Sequence, residues 1–176
     1  MEGSYPRERT PATVREVKAL GHPLRLRILR LAGQREMTNK QLADRLGKDP
    51  GTVLYHVRQL VDAGLLEPAP VRTGESGALE KPYRSTGRSW WIDGSLEAAD
   101  AEVSLAPLEA FEAELREAGP DSVQTFERFS LHLSHEELVE FDRRIIAVLD
   151  EYIETDHLRR DRPALGGMFV THKLAD

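Results

Sequence analysis

Apolar residues recur along the first half of the chain at helical spacing, and each run is closed by a breaker. Val14, Val17 and Leu20 form one stripe, cut by Gly21-His22-Pro23, whose proline suits the first turn of a following helix. A second stripe of Leu24, Ile28 and Leu31, flanked by Leu26 and Leu29, leaves Arg25, Arg27 and Arg30 off its line and is expected to close at Gly33. Thr38-Asn39-Lys40-Gln41 is a capping box, in which the threonine hydroxyl and the glutamine side chain each satisfy an orphan amide, and it opens a short helix through Leu46 that ends at Gly47. Asp49-Pro50 supplies an N-cap and a first-turn proline for a fourth helix, with Val53, Val57, Leu60 and Val61 inward and Gly64 as its stop.

Beyond Gly64 the period shifts toward extended chain. Leu65-Leu66-Glu67 and Lys81 to Thr86 are expected as the arms of a β-hairpin, with Pro68 and Pro70 limiting the first arm and Gly74 and Gly77 marking its tip. Trp90, Trp91 and Ile92 follow as packing bulk, and the pattern places a boundary near Asp93-Gly94. The remainder reads as helix, strand, helix, strand. Pro107 is expected to begin a helix with Leu108, Phe111 and Leu115 on one face, stopped by Gly119-Pro120. Phe129, Leu131 and Leu133 alternate with Arg128, Ser130 and His132 as in a half-buried strand. Ser134-His135-Glu136-Glu137, a second capping box, opens an amphipathic helix striped by Leu138, Phe141, Ile145, Val148, Leu149 and Tyr152, and Met168-Phe169-Val170 is expected as a closing strand. The fold class that follows is α+β: a flexible N-terminus over residues 1–12, a winged helix-turn-helix over 13–93, and a C-terminal helix-and-strand module over 94–176.

Charge refines this division. The formal net charge of −6 argues alone against nucleic acid, but residues 1–94 carry +5 and residues 95–176 carry −11. A basic block followed by an acidic one fits a first half that meets an anionic polymer and a second half that does not. The absence of cysteine excludes thiolate zinc sites, disulfides and thiol nucleophiles. Residues 1–10 lack the apolar core of a secretory signal and no segment approaches membrane-span length, so a cytoplasmic protein without a membrane partner is expected.

A capped short helix, a tight turn and a second helix with a buried back form a unit whose second helix can lie in the major groove. Its outer face is expected to present Thr52, Tyr55, Arg58 and Gln59, with Leu54 and His56 at the margins. The helix N-terminus at Pro50, Gly51 and Thr52 adds an anion-attracting dipole end, and Lys40, Arg72, Lys81 and Arg84 extend the cationic strip to flanking phosphates. His56 reads equally as a phosphate contact or as a helix-packing residue. His132, His135 and His157 with Asp156 lack a ligand spacing that favours a metal, no cofactor motif is present, and no nucleophile elbow or phosphate-cradling loop supports an enzyme.

The run Leu20-Gly21-His22-Pro23-Leu24-Arg25-Leu26-Arg27-Ile28-Leu29, then Thr38 to Leu46, Thr52 to Leu60 and Ala63-Gly64-Leu65-Leu66, resembles the winged helix-turn-helix regulators of the arsenical-repressor (ArsR) type over residues 13–88. The resemblance implies a homodimeric transcriptional repressor whose two recognition helices address half-sites of an imperfect palindrome in double-stranded DNA, about one helical turn apart. Cysteine-based metal sensing does not carry over, and the long acidic second half resembles an appended module that dimerises the protein, binds a small-molecule effector, or both. A protein-interaction module that keeps the winged fold without DNA is the competing class.

Overall fold

The computed structural model describes residues 8–74, 77–93 and 101–175, and the fold is α+β. The chain divides into two compact units, Arg7–Ala118 and Gly119–Asp176. The boundary expected at Asp93-Gly94 borders residues 94–100, which lie outside the described residues.

In the first unit, α1 (Val14–Leu20) starts from a capping box between Thr13 and Glu16. His22 then caps α2 (Pro23–Gln34), its ring nitrogen accepting the Leu24 N–H, with Pro23 in the first turn, where a missing N–H costs nothing. Gly33, expected as the stop, lies inside α2; the helix ends one residue later because Arg35 turns extended into the short strand β2 (Met37–Thr38). The Thr38–Gln41 box opens α3 (Asn39–Leu46), and Gly47 closes it at φ 60°, a left-handed conformation that a residue without Cβ adopts freely. Asp49 caps α4 (Pro50–Asp62).

A three-stranded antiparallel sheet completes the wing base: β2, β6 (Pro82–Ser85) and β3 (Leu66–Pro68), with β6 in the centre, and β4 (Arg72–Thr73) pairs with β5 (Leu79–Glu80) toward the tip. The hairpin arms stand where the alternation expected them, whereas β2 is too short to leave a period in the sequence and forms because β6 offers it a free edge. Thr10 and Pro11, expected in a flexible end, form β1 and pair in parallel with β7 (Ile92–Asp93), while the Arg9 guanidinium lies over the Trp90 ring at 4.9 Å. Ile28, Leu42, Val53, Val57, Leu60 and Leu65 are sealed from solvent and weld the three central helices to the sheet.

The helix expected from Pro107 begins earlier, as α5 (Ala101–Ala118), with the proline inside it. It packs on α2 through buried Ala106 and Ala110, and Arg27 and Arg30 of α2 pair with its Glu117 and Glu114, both at 2.7 Å. This corrects the expected packing face: Leu108 and Leu115 stay exposed, because small alanines let the two helices approach and salt bridges flank the contact.

The second unit is built on α6 (His135–Glu154), which starts from the expected Ser134–Glu137 capping box. Phe129 and Phe169 each stand 6.0 Å from Phe141, on irregular chain either side of the helix in sequence. Neither Phe129–Leu133 nor Met168–Val170 forms a strand, contrary to the alternation, since the two segments make no ladder with each other and a strand cannot exist without one. No described residue of this unit is buried. Among the described residues, no helix is long and apolar enough to cross a membrane.

Candidate nucleic-acid interface

The core side of α4 is fixed by Val53, Val57 and Leu60, none of which touches solvent. One helical turn is 3.6 residues, so the residues half a turn away must face out. Thr52, Tyr55, Arg58 and Gln59 do so, with Pro50 and Gly51 exposed at the start and Leu54 half-buried at the margin. Tyr55 is 59% exposed, well beyond what a packing aromatic would be. A hydroxyl, a phenol, a guanidinium and an amide on one strip hold the donor and acceptor types that read base edges and phosphates.

His56 is not part of that strip. It is only 8% exposed, its ring tilted against that of His22 at 4.4 Å and edge-on to that of Tyr55 at 5.2 Å, and its Nδ1 has no hydrogen-bond partner among the described residues. The packing alternative therefore describes its geometry, and a phosphate contact does not. Position 56 is one residue off the Val53–Val57–Leu60 stripe, which brings it round to α2 rather than to solvent.

The helix N-terminus also differs from expectation. The Asp49 carboxylate accepts the Thr52 N–H at 3.0 Å, so the dipole end is already met by a negative group of the chain itself. A Cβ at Gly51 would come within 2.9 Å of the same carboxylate oxygen, so a larger residue there would press on this cap.

The cationic groups divide into paired and unpaired sets. Arg72 donates to Glu80 at 2.9 Å and Arg84 to Glu67 at 2.7 Å, and both arginines reach Glu36 at 3.9 Å. Lys40 is held by Asp44 at 2.7 Å, one turn along α3, and Arg45 is held by Glu117 of α5. Arg58 and Lys81 are exposed and make no ion pair with a described residue, and so is Lys48, in the turn between α3 and α4. Sequence reasoning passed over Lys48 because it belongs to no periodic segment; its place in the turn of the motif was the available signal. Across β4 and β5, Thr73 is opposite Leu79 and Arg72 opposite Glu80, so the paired charges share one face of the wing. The basic surplus of residues 1–94 does not survive folding either: once α5 is included, residues 7–118 hold 17 basic and 17 acidic side chains. Positive potential at this surface is local, carried by the unpaired residues.

His132, His135 and His157 stand on the irregular segment before α6, on its first turn and just past its end, and among the described residues no three His, Asp or Glu side chains approach closely enough to hold a metal.

Residues 20–69 match the family model described as a helix-turn-helix domain, a span that runs from the end of α1 through α4 to the first wing strand. No curated protein matches the chain. The elements that present Thr52, Tyr55, Arg58 and Gln59 are thus those of a helix-turn-helix domain, the domain type of DNA-binding regulators.

Proposed function

We propose that the chain is a sequence-specific double-stranded DNA-binding transcriptional regulator, a homodimeric repressor of the ArsR type without enzymatic activity. The observation that carries the reading is α4 itself: an inner face held rigid by sealed apolar residues and an outer face of Thr52, Tyr55, Arg58 and Gln59. Such a helix offers pre-positioned donors at little ordering cost on binding. The ArsR assignment is supported by the run Leu20 to Leu29 and the linked motifs through Leu66. Dimerisation is supported by exposed Val14 on α1 and by Leu105, Leu108 and Leu115 on α5, an uncovered apolar strip on helices that contact each other. Two copies joined there would address a two-fold symmetric operator, and the Gly119–Asp176 unit would receive the effector.

The carboxylate partners of Arg72 and Arg84 favour the competing reading, a winged module that binds protein. Selection of bound fragments from genomic DNA, followed by band shifts with the enriched duplex, separates the two. Enrichment of a two-fold symmetric sequence is expected. Recovery of no preferred duplex at low salt would refute the DNA-binding reading.

A further inference from the structure

We propose that His56 is a positioning residue for the recognition helix, acting through the ring of His22, and that the pair makes DNA occupancy depend on protonation. For its effect on DNA, the inference rests on the reading just given.

The His22 ring has a structural task at the start of α2: its Nδ1 accepts the Leu24 N–H at 3.2 Å, so this nitrogen must be bare and the ring proton must sit on Nε2. The His56 ring stacks on it at 4.4 Å with a 45° tilt, and its buried Nδ1 faces no acceptor. A proton arriving at either Nδ1 therefore breaks something, the α2 cap in one case and the uncharged burial of α4 in the other. The groups around the pair make it worse. Arg25 of α2 cannot swing aside, because its Nε donates to the Ala19 carbonyl and a terminal nitrogen to the Lys18 carbonyl, each at 2.6 Å. Tyr55 of α4 stands edge-on to His56, and Glu109 of α5 is the carboxylate whose field favours the His22 cation. Burial lowers the pKa of both imidazoles, with Arg25 adding to it at His22, and His22 and Arg25 adding to it at His56.

The sign follows. Both rings are neutral in the seated state, so the seat is complete above the ordinary imidazole value of about 6.5 and weakens as pH falls below it, until the folded rings themselves protonate. His56 touches Tyr55 edge-on, so loosening it moves a side chain of the reading face directly.

The test compares wild type with a His22→Asn/His56→Phe double variant, which keeps an oxygen to cap α2 and an uncharged ring under α4. The probe is a labelled duplex enriched from a randomised library at about pH 8, titrated between about pH 7.5 and 5.5, a window that spares ordinary carboxylates. Below the pH at which the two rings of the free protein begin to protonate, wild-type affinity should fall toward about tenfold per pH unit for each linked proton, and the double variant should stay flat within about twofold. In ring-resolved NMR both histidines should titrate below the ordinary value. A double variant with the wild-type slope, or rings that titrate normally, would overturn the inference. Should wild type bind no duplex at any pH, the DNA-binding reading fails and the pair is judged by thermal melts in the same window. There the wild-type midpoint should drop while that of the variant holds, and parallel drops refute the pair. If the double variant does not fold, His22→Asn alone must show a shallower slope than wild type.

Discussion

The division of cationic side chains into paired and unpaired sets predicts the salt dependence of DNA binding. Lys48, Arg58 and Lys81 are the exposed cations of the reading helix, its preceding turn and the wing that meet no described carboxylate. Used against phosphates, they give three contacts per protomer and six in a dimer. Each phosphate neutralised contributes about −0.9 to the slope of log K against log salt, so the dimer should show a slope of roughly −5, or about three decades of affinity between about 50 and 200 mM salt. If Lys40, Arg72 and Arg84 also left Asp44, Glu67, Glu80 and Glu36 to bind phosphate, the contacts would double and the slope would approach roughly −11. Arg58→Ala removes two contacts per dimer and should shallow the slope by about 2. Fluorescence anisotropy on an enriched duplex over a salt series measures both quantities. A wild-type slope near −11 would refute the claim that the wing ion pairs persist on DNA, and an Arg58→Ala slope equal to wild type would remove Arg58 from the phosphate set.

Other substitutions separate recognition from folding. Tyr55→Ala and Arg58→Ala should each cost about 1–3 kcal/mol of operator affinity while circular dichroism melts stay near wild type, whereas Val57→Asp buries an unpaired charge in a sealed position and should abolish cooperative melting. Glu16 accepts from Arg88 at 2.8 Å and from the Thr13 amide at 2.7 Å; burial pushes its carboxyl up, but the Arg88 and Thr13 hydrogen bonds outweigh that and hold it below the ordinary value. Its contribution is therefore present above the unfolded value of 4.5 and is lost as pH falls through the folded one. Glu16→Gln should cost about 1–3 kcal/mol in melts at neutral pH, and the difference should vanish in acid. Leu108→Glu would bury two charges in the proposed α1/α5 seam, so the dimer dissociation constant should rise at least about a hundredfold by analytical ultracentrifugation. A dimer that tolerates the change would place the seam elsewhere.

What the sequence disclosed, and what it hid, follows from the range of the interactions involved. The capping boxes at Thr38 and Ser134, the Asp49-Pro50 start and the Gly47 stop are decided within four residues, so they stand where the sequence placed them. The exposed strip of α4 was legible for the same reason, since Val53, Val57 and Leu60 determine which residues face out. The pairing of Arg72 and Arg84 with Glu36 joins residues far apart in the chain and leaves no local trace. Pro107 misled because a proline starts helices more often than it interrupts them, and here the buried alanines at 106 and 110 hold α5 against α2 on both sides of it. Phe129, Leu131 and Leu133 alternate as a strand should, yet alternation specifies only a face, and a ladder requires a neighbour that the sequence pattern cannot supply.

The electrostatic expectation fared in the same way, and the result bears on how such a surface discriminates. Counting charges by halves suggested a basic domain, but the acidic residues of α5 fold into the same unit as the basic ones and balance them. A reader with three free cations per protomer would gain less from the uniform attraction that binds proteins to any duplex than one whose wing arginines were also free. On the proposed reading, its discrimination would then come from base-edge contacts by Thr52, Tyr55 and Gln59, which distinguish one sequence from another. Low net charge, taken alone as an argument against DNA, thus becomes an argument for weak binding to unmatched duplex: a Lys40→Ala/Asp44→Ala variant, which removes an ion pair whole, should change affinity little, and a Glu67→Gln/Glu80→Gln variant should raise it by a similar factor on every sequence and leave the specificity ratio near wild type, because Arg72 and Arg84 would keep only the more distant Glu36. Equal gains on matched and unmatched duplexes in the second variant would agree with this, and a gain confined to the matched duplex would show that the wing reads sequence.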